Sequence, residues 1–314
     1  MMNNLVLEQF IERIDKATLN LAGIAVSQHG KCIDEHRWTA DSPHRLYSLS
    51  KSFTSTAVGM AIDEGYLMLT DRPVDIFAKL LPDQVDDKLE NLTLRDLLIM
   101  ASGHDKPYLL IHQRDKVMEP DWVRYFLSQP IELQPGTKFV YDTGCTYVAG
   151  AMVQQVTKKK LLDFLMPRLF DKFGIPRPAW LECPKGRNIA GDGLYLRTKE
   201  LLKFGQLYLQ KGIWLGERLL SADWIKEATK VQIVSSLTEA DSINGAMPDW
   251  GCGYGYQFWM CQTGAVRADG KDSQFCIIDE KLDAVIAITA DEERSQEILT
   301  AVWEEIYPRL EYTY

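Results

Sequence analysis

At 314 residues, 46% of them hydrophobic and 25% charged, the chain has the make-up of a globular protein with room for one large domain or two closely joined lobes. Its 35 basic against 44 acidic residues leave a net charge of −9 and an isoelectric point near 5.2, so nothing in the composition draws it to phosphate backbones or anionic lipid. Nucleic acid and membrane are therefore not expected as partners, and no apolar run approaches the ~20 residues that cross a bilayer.

The opening MMNNLVLEQFIERIDKATLN reads as an amphipathic helix through Val6, Phe10, Ile11 and Ile14. A basic start followed by an apolar core, the pattern of a secretory signal, is not seen, and a cytoplasmic location is expected. GIAVSQ and CIDEHRW, joined by His29-Gly30-Lys31, predict a hairpin at a sheet edge. In LYSLSKSFTSTAVGMAIDEGYL, apolar residues recur at Leu49, Phe53, Ala57, Met60 and Ala61, the spacing of a helix, with Gly65 placed to cap its C-terminus.

Between residues 70 and 189, Pro73, Pro82, Pro107, Pro120, Pro130 and Pro135 punctuate short helical segments, which predicts a mainly helical lobe (70–189) inserted into an α/β lobe (1–69 and 190–314). Helices are expected again at 198–211 and 221–230, the second with Ser221 as N-cap. Strands are expected at 254–261, 274–278 and 284–290, and a last helix at 295–307 that buries Ile298, Val302 and Ile306. Strands at both chain ends with helices between them define an α+β class, with one antiparallel sheet assembled from the two ends.

Cys32, Cys145, Cys183, Cys252, Cys261 and Cys276 are dispersed without a C-x-x-C pair, and the five histidines lack metal-ligand spacing. No disulfide framework, metal or other cofactor is expected.

Three stretches carry candidate chemistry. Ser48 and Lys51 form S-x-x-K at a helix start, which places the amine one turn from the hydroxyl while the helix N-terminus favours developing negative charge. By itself the motif also describes an N-capping serine beside a solvated lysine. In PGTKFVYDTG, Tyr141 lies at a loop edge before a helix, suited to proton traffic if a cation lowers its pKa; a tyrosine packed beneath the helix is the plainer alternative. Arg267-Ala268-Asp269-Gly270-Lys271 lies between two predicted strands, where glycine admits a substrate and the next N–H can face a carbonyl oxygen; otherwise it is a hairpin turn. Tyr254, Tyr256, Phe258 and Trp259 line either a cleft or the core.

In order along nearly the whole chain, YSLSKSFTSTAVGMAIDEGYL, LRDLLIMASGH, PGTKFVYDTG, GDGLYLRTKELLKFGQLYL and WGCGYGYQFW followed by RADG make the sequence resemble the serine β-lactamase and penicillin-binding protein superfamily, in particular its class C β-lactamase-like branch of esterases, D-aminopeptidases and D-alanyl peptidases. The resemblance implies a β-lactamase/transpeptidase-like fold. It makes Ser48 the acyl-accepting nucleophile, Lys51 its neighbouring base and Tyr141 the tyrosine of Y-x-N. It sets Ala268-Asp269-Gly270 where the family has K-T-G or H-x-G on the edge strand, with the backbone N–H groups of Ser48 and Lys271 as the oxyanion hole.

Two departures matter: Thr143 stands where the family usually has asparagine, and Ala268 where it often has lysine or histidine. Both weaken a β-lactamase reading. Arg267 is the candidate replacement for the missing charge, although alternation along a strand aims it at the opposite face. With Thr143 and Tyr256 it completes the substrate-binding candidates. No E-x-x-L-N is present to activate a deacylating water, which leaves that proton to Tyr141 and Lys51.

The expected function is two-step acyl transfer on a small ester, amide or peptide, with weak or no β-lactamase activity and a small acyl substrate as partner. The alternatives are a non-catalytic or acyl-trapping regulatory protein on the same fold, and a penicillin-binding DD-peptidase.

Overall fold

The computed structural model describes residues 6–235 and 249–310; the first five residues of the expected N-terminal helix lie outside them. The chain begins with α1 (Glu8–Lys16), β1 (Leu21–Gln28), β2 (Lys31–Arg37), β3 (His44–Arg45) and α2 (Ser50–Asp63). Helices α3 (Pro73–Ile76), α4 (Asp87–Asn91), α5 (Leu94–Leu98), α6 (Trp122–Leu127), α7 (Thr143–Thr157) and α8 (Leu161–Leu165) follow. The last part runs β4 (Tyr195–Leu196), α9 (Thr198–Leu209), β5 (Ile213–Trp214), β6 (Glu217–Arg218), α10 (Ala222–Ala228), β7 (Trp259–Met260), β8 (Val266–Gly270), β9 (Gln274–Asp279), β10 (Ala284–Ala290) and α11 (Ser295–Ala301).

The main sheet has the order β2-β1-β10-β9-β8-β7, antiparallel throughout. Its centre joins the two chain ends, with β1 paired to β10 from Leu21↔Ala290 to Gln28↔Ala284. Hairpin β1–β2 forms one edge, turning at His29 and Gly30, both with positive φ. Such a two-residue turn matches the strand twist and needs that left-handed backbone. The central strand AVIAITA is buried at every residue because both faces are covered. One face meets a small core under α1 and α11, built from Phe10, Ile14, Ile298, Leu299 and Val302 against Ile24, Ile286 and Ile288. The other belongs to a larger core that takes in α2, α9 and helices α3 to α8. Among the described residues no helix is long and apolar enough to cross a membrane.

Helix α2 runs inside this larger core, with every residue from Ser50 to Ala61 buried. Its apolar residues pack in the ordinary way, Phe53 stacking on Phe204 with ring centroids 4.0 Å apart. Its hydroxyls bond to surrounding loops: Ser52 donates to the Gln257 carbonyl at 2.7 Å and Thr54 to that of Ala190 at 2.9 Å, while Ser50 accepts from the Leu194 N–H at 3.2 Å. A buried hydroxyl without a partner is costly, so these bonds also fix where the loops around α2 must lie.

One expectation is corrected. The strand expected at 254–261 shrinks to β7, because Gly253 and Gln257 take positive φ and Gly255 crosses closely over the Ala228 carbonyl. Its aromatics Tyr254, Tyr256 and Phe258 are buried in the core. Of the two readings of the Arg267 to Gly270 stretch, edge strand and hairpin turn, the structure has the strand; the chain reverses just after it, where Asp272 and Ser273 have positive φ. Because β7 pairs only with Val266 and Arg267, the far half of β8 is hydrogen-bonded on the β9 side alone among the described strands. Its end lies against the turn that bears Ser48: a Cβ added at Gly270 would strike the Leu46 carbonyl and sit 3.1 Å from the Leu49 nitrogen. We therefore expect Gly270→Ala to lower unfolding stability by about 1–3 kcal/mol, read from urea denaturation midpoints, as an overpacked backbone contact does.

Candidate active site

Ser48 lies in a short 3-10 turn, Tyr47–Leu49, that runs directly into α2. Tyr47 holds a left-handed backbone, φ +46°, which is costly for a bulky side chain and is sustained here by the packing on both sides. Its ring lies between two cations, with the Arg45 guanidinium 4.9 Å and the Lys271 ammonium 5.7 Å from the ring centroid. The turn thus presents Ser48 between the N-terminus of the buried helix and the end of β8.

Lys51, one turn on, is 2% exposed. Its Nζ is 2.9 Å from the Gly191 carbonyl, 3.1 Å from Thr143 Oγ1 and 3.2 Å from Ser48 Oγ. Burial, aided by repulsion from Arg114, lowers its pKa from 10.5 to about 7. A protonated amine donates to all three oxygens. A neutral one keeps two N–H bonds, the carbonyl necessarily taking one, and can turn its lone pair toward Ser48. Gly191 has a steric role in this: a Cβ there would sit 3.1 Å from Nζ and 2.8 Å from Thr143 Cγ2.

Tyr141 hydrogen-bonds to Ser48, and its ring is stacked on Trp259 at 5.6 Å, with the Lys51 amine 5.2 Å from the ring centroid. The condition attached to it from sequence, a cation that lowers its pKa, is not met: burial raises the pKa, because the phenolate would lose more hydration than the bond to Ser48 returns. Asp142 caps α7, accepting from the Gly144 N–H at 2.7 Å and the Tyr108 N–H at 2.9 Å, yet burial lifts its carboxyl to about 7. Thr143, in the position usually held by asparagine, opens α7 and meets the lysine.

The structure separates the other candidates. Gly270 and the backbone of Lys271 end β8 beside the Ser48 turn, whereas Arg267 and Asp269 share the alternate positions of that strand. Arg267 is fully buried, paired to Asp269 at 2.8 Å, bonded to the Met260 carbonyl at 3.0 Å and set over the Trp250 ring. It therefore does not supply the charge missing at Ala268. Tyr256 is corrected too: it is buried against Trp224, with Arg95 as its charged neighbour, away from Ser48.

Ser48 opens onto a cavity of about 230 Å³ shared with Tyr47, Thr143, Gly191 and Lys271. Leu110, Ile111, His112, Arg114 and Asp192 form the rest of the wall. These last five and Gly191 had no role assigned from sequence. Gly191 and Asp192 fall within the quoted GDG run, the one signal that could have drawn attention to them. Arg114, which opens a short 3-10 turn between α5 and α6, matches no local pattern.

The fold and this constellation define the serine β-lactamase class of architecture, and the chain belongs to the beta-lactamase family, whose profile matches residues 7–306. It is similar to a 6-aminohexanoate-dimer hydrolase of Paenarthrobacter ureafaciens, 26% identical over 263 residues that cover 78% of this chain and 65% of the relative. It is also similar to a lovastatin esterase of Penicillium rubens, 27% identical over 150 residues, 41% of this chain and 37% of that one. The chain thus spans less than two thirds of either relative's length. The crystal structure of a family VIII carboxylesterase superposes with a TM-score of 0.71 at 15% identity, covering 95% of this chain and 96% of that one, a likeness of fold.

The lysine titration carries a sign. Between about pH 7 and 10.5 the unfolded chain holds a Lys51 proton that the folded chain has released, so stability rises with pH in that window. Relative to Lys51→Met, the wild type should gain on the order of 3 kcal/mol between pH 7 and 9.5, measured by denaturant unfolding at each pH. A flat difference would mean that the amine keeps an ordinary pKa.

Proposed function

We propose that this chain is a serine hydrolase that works by two-step acyl transfer on a small ester or amide. The observation that carries the reading is the buried Lys51 amine, poised near pH 7 and 3.2 Å from Ser48 Oγ. Only a base that is partly neutral at working pH can accept the hydroxyl proton, and burial here supplies that condition. In the proposed first step the Ser48 oxygen bonds to the substrate carbonyl carbon as its proton passes to Lys51. The N–H groups of Ser48 and Lys271 receive the oxygen that becomes negative.

Tyr141, held protonated by its burial, then delivers a proton to the departing alcohol or amine as the carbonyl re-forms. Lys51 returns its proton to the phenol, and the same groups pass the proton of the attacking water in deacylation. Thr143 and Gly191 hold the amine in place throughout. Similarity to an amide hydrolase and an ester hydrolase supports both substrate types, and the absence of side-chain charge at Ala268 supports weak β-lactam turnover. The cavity is below the ~300–1,000 Å³ of drug-sized sites, which favours a short acyl group.

The test is intact-protein mass spectrometry after brief exposure to activated esters and β-lactams. The expected result is an acyl adduct on wild type with short esters that decays on turnover and is absent from Ser48→Ala. Wild-type turnover by Ser48→Ala would sink the assignment, and a persistent adduct would favour an acyl-trapping protein. With a neutral ester, kcat/KM should rise through an apparent pKa near 7, and Tyr141→Phe should lower kcat by about 10²-fold or more.

A further inference from the structure

The wall of the Ser48 cavity contains an unequal charge cluster. Asp192 is 3% exposed and is gripped by two guanidinium groups: Arg45 through Nε at 3.0 Å and Nη2 at 2.7 Å, and Arg114 through Nη1 at 2.6 Å. One carboxylate bonds two cations; Asp115, next in sequence, adds a weaker charge interaction with Arg114 but no hydrogen bond to it among the described residues. Arg114 is the member of the pair that lines the cavity. Its Nε donates to the Leu109 carbonyl at 2.9 Å, which fixes the plane of the fork, and its Nη2 has no hydrogen-bond partner among the described residues. Of the groups lining the cavity, Asp192 is the one carboxylate, against Arg114 and Lys271 as fixed cations.

From this arrangement we infer that Arg114 is a specificity-determining residue, which receives a carboxylate carried on the acyl part of the substrate, a few bonds from the carbonyl that Ser48 attacks. The inference rests on the acyl-transfer reading of Ser48 and narrows it to anionic acyl donors such as half-esters and half-amides of short dicarboxylic acids. The physical grounds are three. A guanidinium held in one plane by two existing bonds spends little entropy on a third, and its fork suits a planar carboxylate. The cavity's small volume and its Leu110 and Ile111 side favour a short methylene spacer between the two carbonyl carbons. Within β8 the edge strand contributes no competing cation, because position 268 is alanine and Arg267 is buried against Asp269; Lys271, just past its end, is paired with Asp272 at 2.8 Å. The same residue also bears on the base, since Arg114 repels the proton on Lys51; an anion paired with it would weaken that repulsion.

The experiment compares 4-nitrophenyl hydrogen succinate, glutarate and adipate with their terminal-amide counterparts, which match them in size without the charge. Wild type should prefer the acid at one chain length by about 10-fold or more in kcat/KM, the worth of one charge-assisted hydrogen bond. In Arg114→Gln that acid-to-amide ratio should fall toward one, and Arg114→Lys should keep part of it. The ratio is taken within each variant, so any change common to both esters cancels. For the preferred acid, the pKa seen in kcat should lie above that in kcat/KM, a shift that a merely structural Arg114 would not cause.

Calorimetric binding of free glutarate and glutaramate to Ser48→Ala separates this inference from the function it rests on. If no ester acylates Ser48 but glutarate still binds more tightly, and only when Arg114 is present, the hydrolase reading fails and the carboxylate site stands. Equal rates for acid and amide at every chain length, with equal binding of the two ligands, overturn the inference on the wild-type protein alone. So does an acid preference that survives in a folded Arg114→Gln.

Discussion

A lysine amine withdrawn from water is the constraint on which the rest of the structure turns. Lys51 stays buried because three oxygens from three parts of the chain close around it: Ser48 one turn away, Thr143 at the start of α7 and the Gly191 carbonyl shortly before β4. Desolvating a full ammonium would be expensive, and the lowered pKa expresses that cost as a readily lost proton. Each partner in turn fixes an element. Position 191 must be small for its carbonyl to reach the amine, and α7 must begin where the Asp142 side chain caps it.

Helix α2 translates this local requirement into architecture. A helix buried on all sides that carries five hydroxyl residues from Ser50 to Thr56, with Ser48 just before it, cannot sit in an apolar core unassisted. The 190s loop and the backbone at Gln257 supply acceptors and a donor, and in doing so form the walls around Ser48. The edge strand closes the opposite side. Its second half extends beyond β7, and Gly270 lets it approach the Leu46 to Leu49 backbone more closely than any side chain would permit.

Charge is arranged in two layers around this centre. Next to the serine are groups whose burial favours their neutral forms, Lys51 shifted down and Tyr141 and Asp142 shifted up. Farther out, Arg45, Arg114 and Asp192 remain ionised because they pair with one another, and Arg114 adds to the pressure on the Lys51 proton. Arg267 and Asp269 form a separate buried pair on the other side of β8, where they join the strand to Trp250 and the β7 region.

The hairpin with its His29-Gly30 turn, helix α2 with Gly65 just beyond it, Ser221 as the cap of α10 and the buried strand β10 were all legible in the sequence, because each depends on residues within a few positions of one another. The Ser48–Lys51 juxtaposition belongs with these, being a matter of one helical turn. What the tertiary structure decided are the properties that depend on distant neighbours. The aromatic run near Tyr254 reads as a strand until Gly253, Gly255 and Gln257 are seen to bend it against α10. The direction of the Tyr141 pKa follows from how deeply its phenol is enclosed, which no run of sequence encodes. Arg114 and Asp192, 78 positions apart, acquire meaning only when the fold brings them together in the wall of the Ser48 cavity. Periodicity and turn chemistry record which residues face a core; desolvation and charge pairing depend on what the rest of the chain places beside them.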